Sequence, residues 1–259
     1  MPARLHIPQP LSAGLTLDLP EGAARHVQVL RLQPGDVLLL FDGQGGHWTA
    51  EVLAMGRRQV SARVLAHQPH DCELARPVTL ALGMPANERM DSLVEKATEL
   101  GAAHIVPLVC ERSVLRLDGE RAARKAAHWQ AVAVAACEQS GRNRVPRVAL
   151  PLPLKDWLAG GAASGDASLN GPPPHRAATG GRGVLSLAAD ALPLRQWLAG
   201  AGPAPLPLAL LSGPEGGLSP AELALAEQQG FRPITLGARV LRADTAPLAA
   251  LAGLCALES

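Results

Sequence analysis

A glycine-rich turn between an apolar segment and a well-specified helix start constrains this chain more than any other feature. The stretch "LSGPEGGLSPAEL" runs from Leu211 to Leu223 and follows the apolar run Leu206 to Leu211. Its second half, Ser219-Pro220-Ala221-Glu222, has the pattern of a capping box with proline at the first helical position. A strand, a glycine turn and a helix N-terminus together present unpaired backbone N–H groups to the turn. The sequence therefore predicts a close approach of backbone to a ligand, although a tight turn without a ligand would use the same residues.

The chemistry of this turn argues against a phosphate as the ligand. It has neither the lysine nor the spacing of a P-loop, and it lacks the G-x-G-x-x-G dinucleotide pattern. Glu215 stands inside the turn, where its carboxylate would repel a phosphate. A ligand without phosphates, or one with a positive charge, fits better. S-adenosylmethionine meets these conditions, because its sulfonium is cationic. Its adenosine and methionine parts can accept hydrogen bonds from backbone N–H groups and donate them to backbone carbonyls.

Length and composition indicate a folded chain of two domains. The 259 residues are 47% hydrophobic and 18% charged, as in globular proteins. Because the formal net charge is only +1, a basic surface that binds nucleic acid would have to be confined to one part of the chain. The N-terminus has no apolar signal-peptide stretch, and the longest apolar run, Ala246 to Leu257, is too short to span a bilayer. We therefore expect a cytoplasmic protein without a membrane partner.

The cysteines predict neither disulfides nor a metal site. Cys72, Cys110, Cys137 and Cys255 are scattered, with no CxxC pair and no histidine at zinc-ligand spacing. This pattern is typical of reduced, buried thiols in a cytosolic protein.

Hydrophobic periodicity changes along the chain and divides it in two. Residues 1 to about 70 read as several short strands with glycine-rich turns, which predicts a small barrel or sandwich. The segment 69–76 reads as a linker. From Pro77 onward, strands alternate with helices, which predicts an α/β domain with a mostly parallel sheet covering 77–259. We expect strands over 78–84, 104–109, 184–190, 206–211 and 232–237, helices over 88–100, 121–139 and from Ser219 to Gly230, and a flexible loop over 161–183.

A second glycine turn follows the last predicted strand. The segment "LGARVLRADTAPLAALAGL", 236–254, starts with this turn and continues through two arginines into an apolar helix. Arg239 and Arg242 are three residues apart, so both side chains can point into one cleft. Two solvated surface arginines are the ordinary alternative, and the adjacent glycine turn weakens it.

Several blocks resemble one family, in the order in which that family has them. "GPEGGLSPAELALAEQQGF" with "LGARVLRADTAPLAAL" is similar to the C-terminal signature of the ribosomal small subunit methyltransferase E family. "NERMDSLVEKATELGAAHIVPLVCERSV" and "HWQAVAVAACEQSGRNRVP" resemble two further family blocks, and "HVQVLRLQPGD" with "FDGQGG" resembles its N-terminal barrel. The family's usual "LRTETA" stands here as "LRADTA", so one threonine hydroxyl is lost and the carboxylate is one methylene shorter.

The resemblance implies an architecture and an activity. The fold would be a PUA-like RNA-binding β-barrel over 1–70, followed by a SPOUT α/β domain whose C-terminal chain is threaded through a trefoil knot. The activity would be methylation of N3 of a uridine in 16S rRNA with S-adenosylmethionine as cofactor, by a homodimer. Two alternatives stay open: a SPOUT enzyme acting on another RNA position, such as a ribose 2′-hydroxyl, or a non-catalytic RNA-binding assembly factor.

The resemblance and the two glycine turns together suggest the cofactor contacts. From the first turn these are Leu211, Gly213, Pro214, Glu215, Gly216 and Gly217. From the second turn and the segment after it they are Leu236, Gly237, Val240, Leu241, Arg242, Thr245 and Ala246.

A local basic patch suggests where RNA binds. Between Glu111 and Arg147 there are eight lysines or arginines and four acids, a local net charge of +4. Aromatic residues are only 2% of the chain, which argues against extensive base stacking. The predicted RNA contacts are Arg4, His26, Arg31, Arg112, Gln139, Ser140, Gly141, Arg142, Arg144 and Arg239.

The reaction requires a proton acceptor and cations. The N3 proton of uridine must leave, and negative charge then spreads to the uracil oxygens. We expect Arg242, Arg142 and Arg112 to stabilise that charge. Glu138 is the predicted proton acceptor, with Asp244 as the second choice.

Overall fold

The computed structural model describes residues 2–57, 59–85, 89–160 and 180–258. The chain divides into two compact units, one of Met1–Glu73 with Val134–Val145, the other of Leu74–Ala133 with Pro146–Ser259. In the described residues no helix is long and apolar enough to cross a membrane.

The described part of the N-terminal unit contains a five-stranded sheet and a short helix of its own. Its strands are β1 (Arg4–His6), β2 (Thr16–Asp18), β3 (Val37–Phe41), β4 (His47–Met55) and β5 (Val60–Gln68), in the order β1-β3-β4-β5-β2. Strands β1 and β3 pair in parallel, and the pairs β2–β5, β3–β4 and β4–β5 are antiparallel. Alternate residues face the core, as a strand requires, so that Leu38 and Leu40, or Ala62 and Val64, are fully buried. The predicted β-rich character is confirmed.

One helix of this unit was not expected. Helix α1 spans Glu21–Val29 and buries Ala23, Ala24 and Val27. Its glycine and two valines are weak helix formers, and Pro20 precedes it without a capping side chain. Burial of a single apolar face therefore stabilises this helix more than its local propensity does.

The C-terminal unit is an α/β structure around a parallel sheet. Its elements are β6 (Val78–Gly83), α2 (Arg89–Glu99), β7 (Ala102–Val109), α3 (Gly119–Ser140), β8 (Arg147–Val148), β9 (Leu152–Pro153), α4 (Leu154–Leu158), β10 (Arg182–Leu185), β11 (Leu192–Pro193), α5 (Leu194–Ala199), β12 (Leu208–Ser212), α6 (Pro220–Gln228), β13 (Arg232–Thr235) and α7 (Thr245–Glu258). The last turns of α3 cluster with the N-terminal unit. The sheet order is β11-β13-β10-β12-β6-β7-β8, with β9 beside β7. The ladders between these strands are parallel, which confirms the predicted sheet.

Burial on both faces of this sheet explains its continuous apolar strands. Each residue of β6 is buried, and so is each residue of β12. On one face Leu80 and Leu210 pack in a cluster with Trp129 and Leu251. On the other, Leu211 lies in a cluster that includes Trp157 and Phe231.

The expected loop over 161–183 is wrong at its C-terminal end. Residues 161–179 lie outside the described residues, but Arg182 and Gly183 already belong to β10. This strand pairs with β12 on one side and β13 on the other. Two flanking ladders therefore make a strand of a Gly-Arg-Gly segment that has no strand propensity of its own. The strand expected over 184–190 accordingly ends at Leu185.

The expectation that the cysteines are buried holds for two of them. Cys110 and Cys137 are buried, Cys255 is partly buried, and Cys72 is exposed. The prediction is wrong for Cys72 because it lies in the polar segment between the strands of the two units, where there is no core to bury it.

Candidate functional site

The carboxyl ends of three adjacent parallel strands surround a cavity in the C-terminal unit. Strands β13, β10 and β12 lie side by side, so the segments that follow them meet at one edge of the sheet. The cavity has a volume of about 320 Å³. Its walls are formed by residues 185–187, 212–215, 217–218, 223, 234–237, 239–241, 243 and 246.

The first glycine turn is closely packed. A Cβ on Gly213 would lie 2.9 Å from the backbone nitrogen of Leu218 and 3.0 Å from the carbonyl carbon of Gly217. Gly217 has a φ of 67°, a conformation that favours glycine, and its N–H donates to the Pro214 carbonyl at 2.8 Å. Backbone therefore closes on backbone at Gly213, where a side chain would need a shift of its neighbours. At Gly217 there is open space around an added Cβ, and the positive φ alone favours glycine.

The helix after this turn begins as the sequence predicted. The Ser219 Oγ accepts a hydrogen bond from the Glu222 N–H at 3.2 Å, and the Glu222 carboxylate accepts one from the Ser219 N–H at 2.8 Å. Pro220 is the first residue of α6. The predicted capping box is confirmed.

Glu222 also binds a second loop. Its other carboxylate oxygen accepts a hydrogen bond from the Glu111 N–H at 2.8 Å, and only 8% of Glu222 is exposed. Arg112, the next residue of that loop, donates from Nη1 to the carbonyls of Gly216 at 3.0 Å and Leu218 at 3.4 Å. The loop after β7 is therefore joined to the glycine turn by two independent contacts. Arg112 was expected at the RNA, and that role stays a prediction.

Arg89 is a residue of the site that the sequence analysis missed. It begins α2, and its Nη1 lies 3.6 Å from an oxygen of Glu215 and 3.9 Å from an oxygen of Asp244. Glu215 belongs to the first cavity wall, and Asp244 lies between Ala243 and Ala246 of the second. No local signal marks Arg89, because a single cation at a helix start is ordinary. Its partners come from segments more than 120 positions away in the sequence.

Most of the predicted cofactor contacts line this cavity. The structure brings together Gly213, Pro214, Glu215, Gly217, Leu236, Gly237, Val240, Leu241 and Ala246 on its walls. Four predicted contacts are not among the wall residues: Leu211, which is buried in β12, together with Gly216, Arg242 and Thr245. Arg239, predicted to contact RNA, is a wall residue as well.

The other predicted RNA contacts are spread over the chain. His26, Arg31 and Gln139 are exposed. Arg4 is partly buried and donates from Nη2 to the Gly141 carbonyl at 3.1 Å, the Arg142 carbonyl at 3.2 Å and the Asn143 Oδ1 at 2.6 Å. Ser140 is partly buried at the end of α3. Arg144 is exposed, and its Nε donates to Asp71 at 2.7 Å.

Two of the three predicted catalytic residues lie in the N-terminal unit. Arg142 is only 2% exposed, and its guanidinium forms a two-point ion pair with Glu73, with Nε donating at 2.9 Å. The Glu138 carboxylate accepts a hydrogen bond from the His6 backbone N–H at 2.9 Å. Burial raises the pKa of Glu138, and the His6 hydrogen bond opposes that rise. Arg242, the third, is exposed and belongs to the C-terminal unit.

Comparison with known proteins relates both units to RNA-modifying enzymes. A family model for an RNA methyltransferase domain matches residues 72–254, and one for an RNA methyltransferase PUA domain matches residues 19–65. Ribosomal RNA small subunit methyltransferase E of Synechocystis sp. is 35% identical over 232 residues, which cover 89% of this chain and 69% of that protein. The enzyme of the same name from Bacillus subtilis is 31% identical over 235 residues, 88% of this chain and 84% of that protein.

A solved structure agrees with these sequence relationships. Ribosomal RNA small subunit methyltransferase E from Neisseria gonorrhoeae, bound to S-adenosyl methionine, superposes with a TM-score of 0.84 at 32% identity and covers 99% of this chain and 98% of its own. The chain is therefore an RNA methyltransferase with an α/β methyltransferase domain and a PUA domain. Within that class it belongs to the ribosomal RNA small subunit methyltransferase E family.

Proposed function

We propose that this protein transfers a methyl group from S-adenosylmethionine to N3 of a uridine in 16S rRNA. The observation that carries the proposal is the cavity at the carboxyl ends of β10, β12 and β13, walled by two glycine turns. The family membership supports the activity, and the bound cofactor of the Neisseria gonorrhoeae enzyme supports the choice of methyl donor.

The cavity residues fit this cofactor. A volume of about 320 Å³ falls within the range of small-molecule sites. Its walls combine apolar side chains, such as Leu218 and Leu241, with exposed backbone of the glycine turns, and Glu215 contributes a carboxylate for a cationic group. The close packing at Gly213 brings backbone N–H groups to a place where a side chain would fill the turn.

The chemistry divides between cofactor and protein. When bound, S-adenosylmethionine supplies an electrophilic methyl group for in-line displacement. The protein positions the uridine ring and stabilises charge on its oxygens. Arg239 on the cavity wall and Arg242 beside it are the cations that we propose for this task.

Glu138 is the proposed proton acceptor, with Asp244 as the second choice. Burial raises the pKa of Glu138, so its carboxylate accepts a proton more readily than an exposed glutamate would. The ion pair with Glu73 suggests another task for Arg142: it holds the 141–144 segment in place, and the exposed Arg144 carries the contact with RNA.

The remaining expectations belong to the same proposal. The partner is 16S rRNA in the small ribosomal subunit, the location is the cytoplasm, and the active form is a homodimer. The C-terminal unit is proposed to have the SPOUT trefoil knot, and the N-terminal sheet the PUA-like barrel.

A methyl-transfer assay tests the proposal. Small ribosomal subunits lacking the modification and free 16S rRNA would be offered with labelled S-adenosylmethionine, followed by mass spectrometry of the digested nucleosides. We expect 3-methyluridine. Label on a ribose would show that the enzyme methylates a 2′-hydroxyl and not a base. The absence of methyl transfer, together with no cofactor binding by calorimetry, would indicate a non-catalytic RNA-binding factor.

A further inference from the structure

Trp48 differs from every other large aromatic side chain of this protein. The chain has four tryptophans, two phenylalanines and no tyrosine, and all six lie in its described part. The other five are at most 5% exposed: Phe41, Trp129, Trp157, Trp197 and Phe231. Trp48 is partly exposed at the rim of the N-terminal core. Any stacking of a tryptophan, phenylalanine or tyrosine ring on a ligand therefore falls to Trp48.

An exposed imidazole lies beside the Trp48 indole. Trp48 on β4 pairs with His67 on β5, next to a register shift in the ladder. The two ring centroids are 4.8 Å apart, and the ring planes are tilted by 49°. His67 is exposed, so this cross-strand pair extends the aromatic surface from the core rim into solvent.

A turn without side chains separates this pair from a cation. Gly45 and Gly46 have φ values of 110° and 67°, which favour glycine. A Cβ on Gly45 would lie 2.6 Å from Nη2 of Arg144, and one on Gly46 would collide with the His67 ring. The turn therefore lets the guanidinium lie against the backbone of Gly45 and the imidazole against that of Gly46.

We propose that Trp48 and His67 form a stacking platform for an unpaired base of the RNA substrate, with Arg144 contacting the adjoining phosphate. This inference rests on the proposed function, because it takes RNA as the ligand. A flat face next to a cation is the combination that binds single-stranded nucleotides with little sequence preference. The Arg144 side chain is 54% exposed, and its Nε is held by Asp71, which orients the guanidinium over the turn.

The surrounding groups are compatible with a nucleotide. His47 and His70 lie beyond the turn, with ring centroids 6.3 Å apart. Burial first, and then Arg4 and the neighbouring histidines, lower the pKa of His47, which disfavours a charge on that ring. Asp71 is the carboxylate bonded to Arg144, and its charge is offset by that pair.

Fluorescence of Trp48 provides a direct test in the full-length protein. Iodide would quench Trp48 and leave the three buried tryptophans largely unquenched. Addition of a single-stranded RNA of about ten nucleotides is expected to remove the quenching. In titrations followed by anisotropy, His67→Ala should weaken RNA binding about tenfold. Arg144→Ala should weaken it and lower the slope of log affinity against log salt by about one.

Matched variants separate stacking from a loss of structure. Leu65→Ala removes an exposed apolar side chain two positions before His67 on the same strand, and it should bind RNA like the parent. Trp48→Phe keeps an aromatic ring at the core rim and should cost less affinity than His67→Ala costs. Each variant would first be shown to unfold at the parent temperature.

The outcomes distinguish this inference from the proposed activity. Two results would overturn the proposed stacking platform and leave the methyltransferase activity supported. One is methyl transfer to rRNA while iodide still quenches Trp48 in the presence of RNA. The other is RNA binding by His67→Ala with the affinity of the parent protein. Protection of Trp48 by RNA without methyl transfer would support the platform and remove the activity. No RNA binding at all would remove both.

Discussion

The buried carboxylate of Glu222 accepts two backbone hydrogen bonds from different segments. One oxygen binds the N–H of Ser219 and the other the N–H of Glu111, each at 2.8 Å. The first bond closes the capping box of α6, and the second fastens the loop after β7 to the helix that follows the first glycine turn. One side chain thus couples local helix initiation to the geometry of the proposed site.

Glu222→Gln tests this coupling. The amide offers one acceptor oxygen and places an N–H₂ group against the other backbone N–H, so one buried hydrogen bond must fail. We expect a loss of about 1.5–3 kcal/mol in the free energy of unfolding, by urea denaturation. Affinity for S-adenosylmethionine, by calorimetry, should fall as well. Glu227→Gln, exposed on the same helix, is the control, and equal effects of both changes would contradict the coupling.

Arg89→Met should affect cofactor binding more than stability. The Arg89 guanidinium lies between Glu215 and Asp244 at distances of 3.6 and 3.9 Å, and all three side chains are about a third or more exposed. Such pairs contribute less than about 1 kcal/mol to folding. We expect little change in melting temperature and a roughly threefold weaker affinity for S-adenosylmethionine, because two walls of the cavity lose a common partner. The exposed pair Arg124–Glu120 offers Arg124→Met as the control. Unchanged affinity in Arg89→Met would show that the contact is incidental.

Gly213→Ala should damage the first turn. Its Cβ would meet backbone atoms of Leu218 and Gly217 at 2.9 and 3.0 Å, and backbone cannot move aside as a side chain can. Overpacking of this kind costs about 1–3 kcal/mol in the free energy of unfolding. Cofactor affinity should fall with it.

A matched glycine change should have the opposite sign. Gly22 lies in α1 with nothing within 4 Å of an added Cβ, so Gly22→Ala is expected to stabilise the fold by about 0.5–1 kcal/mol. Urea denaturation measures both. Stabilisation by both changes would mean that the turn is looser than its backbone contacts indicate.

Stability should fall as the pH drops below the ordinary histidine value of 6.5. Burial first, and then the charge of Arg147, lower the pKa of His104, and burial also lowers that of His6. The folded state therefore binds fewer protons than the unfolded state in this range, so its stability decreases as the pH falls. His104→Gln should make the decline between pH 7 and pH 5 shallower in urea denaturation. An unchanged slope would show that the pKa of His104 is the same in the folded and unfolded states.

The thiols should react in a definite order. Burial raises the pKa of Cys110 and of Cys137 to about 12, whereas Cys72 is exposed. Ellman's reagent should label Cys72 rapidly in the native protein, and Cys110 and Cys137 only after denaturation. Cys72→Ser should remove the rapid phase. Persistence of that phase would place another thiol within reach of solvent, either a buried one or the partly buried Cys255.

The elements that the sequence predicted best are those with strong local signals. The capping box at Ser219 and the glycine stops at Gly141 and Gly230 set helix ends through contacts within a few residues. Continuous apolar strands and amphipathic helices likewise identified an α/β domain with a parallel sheet, because a strand buried on both faces has no polar side.

The elements that the sequence did not predict correctly have weak local signals. Helix α1 contains a glycine and two valines and has no capping side chain, and strand β10 starts in a Gly-Arg-Gly segment, so their local signals are weak. Packing against α1 and pairing on both sides of β10 decide their conformation. Cofactor contacts were predicted in both glycine turns, and residues of both turns line one cavity. The ion-pair partners of individual charged residues could not be predicted from the sequence. Nothing near Arg142 in the sequence indicates Glu73, and nothing near Arg89 indicates Glu215.

The sequence by itself therefore determined the class of the fold, the two close backbone turns and the family to which they belong. The fold class and the turns follow from periodicity, capping and glycine spacing, which are properties of neighbouring residues. The family follows from the resemblance of several sequence blocks, in their order, to those of that family. Only the tertiary structure decided which charges meet, which of the six aromatic rings reaches solvent, and which carboxylate joins two loops. Those relationships depend on contacts between residues that are far apart in the sequence, by more than 120 positions for Arg89 and Glu215. No local pattern encodes them.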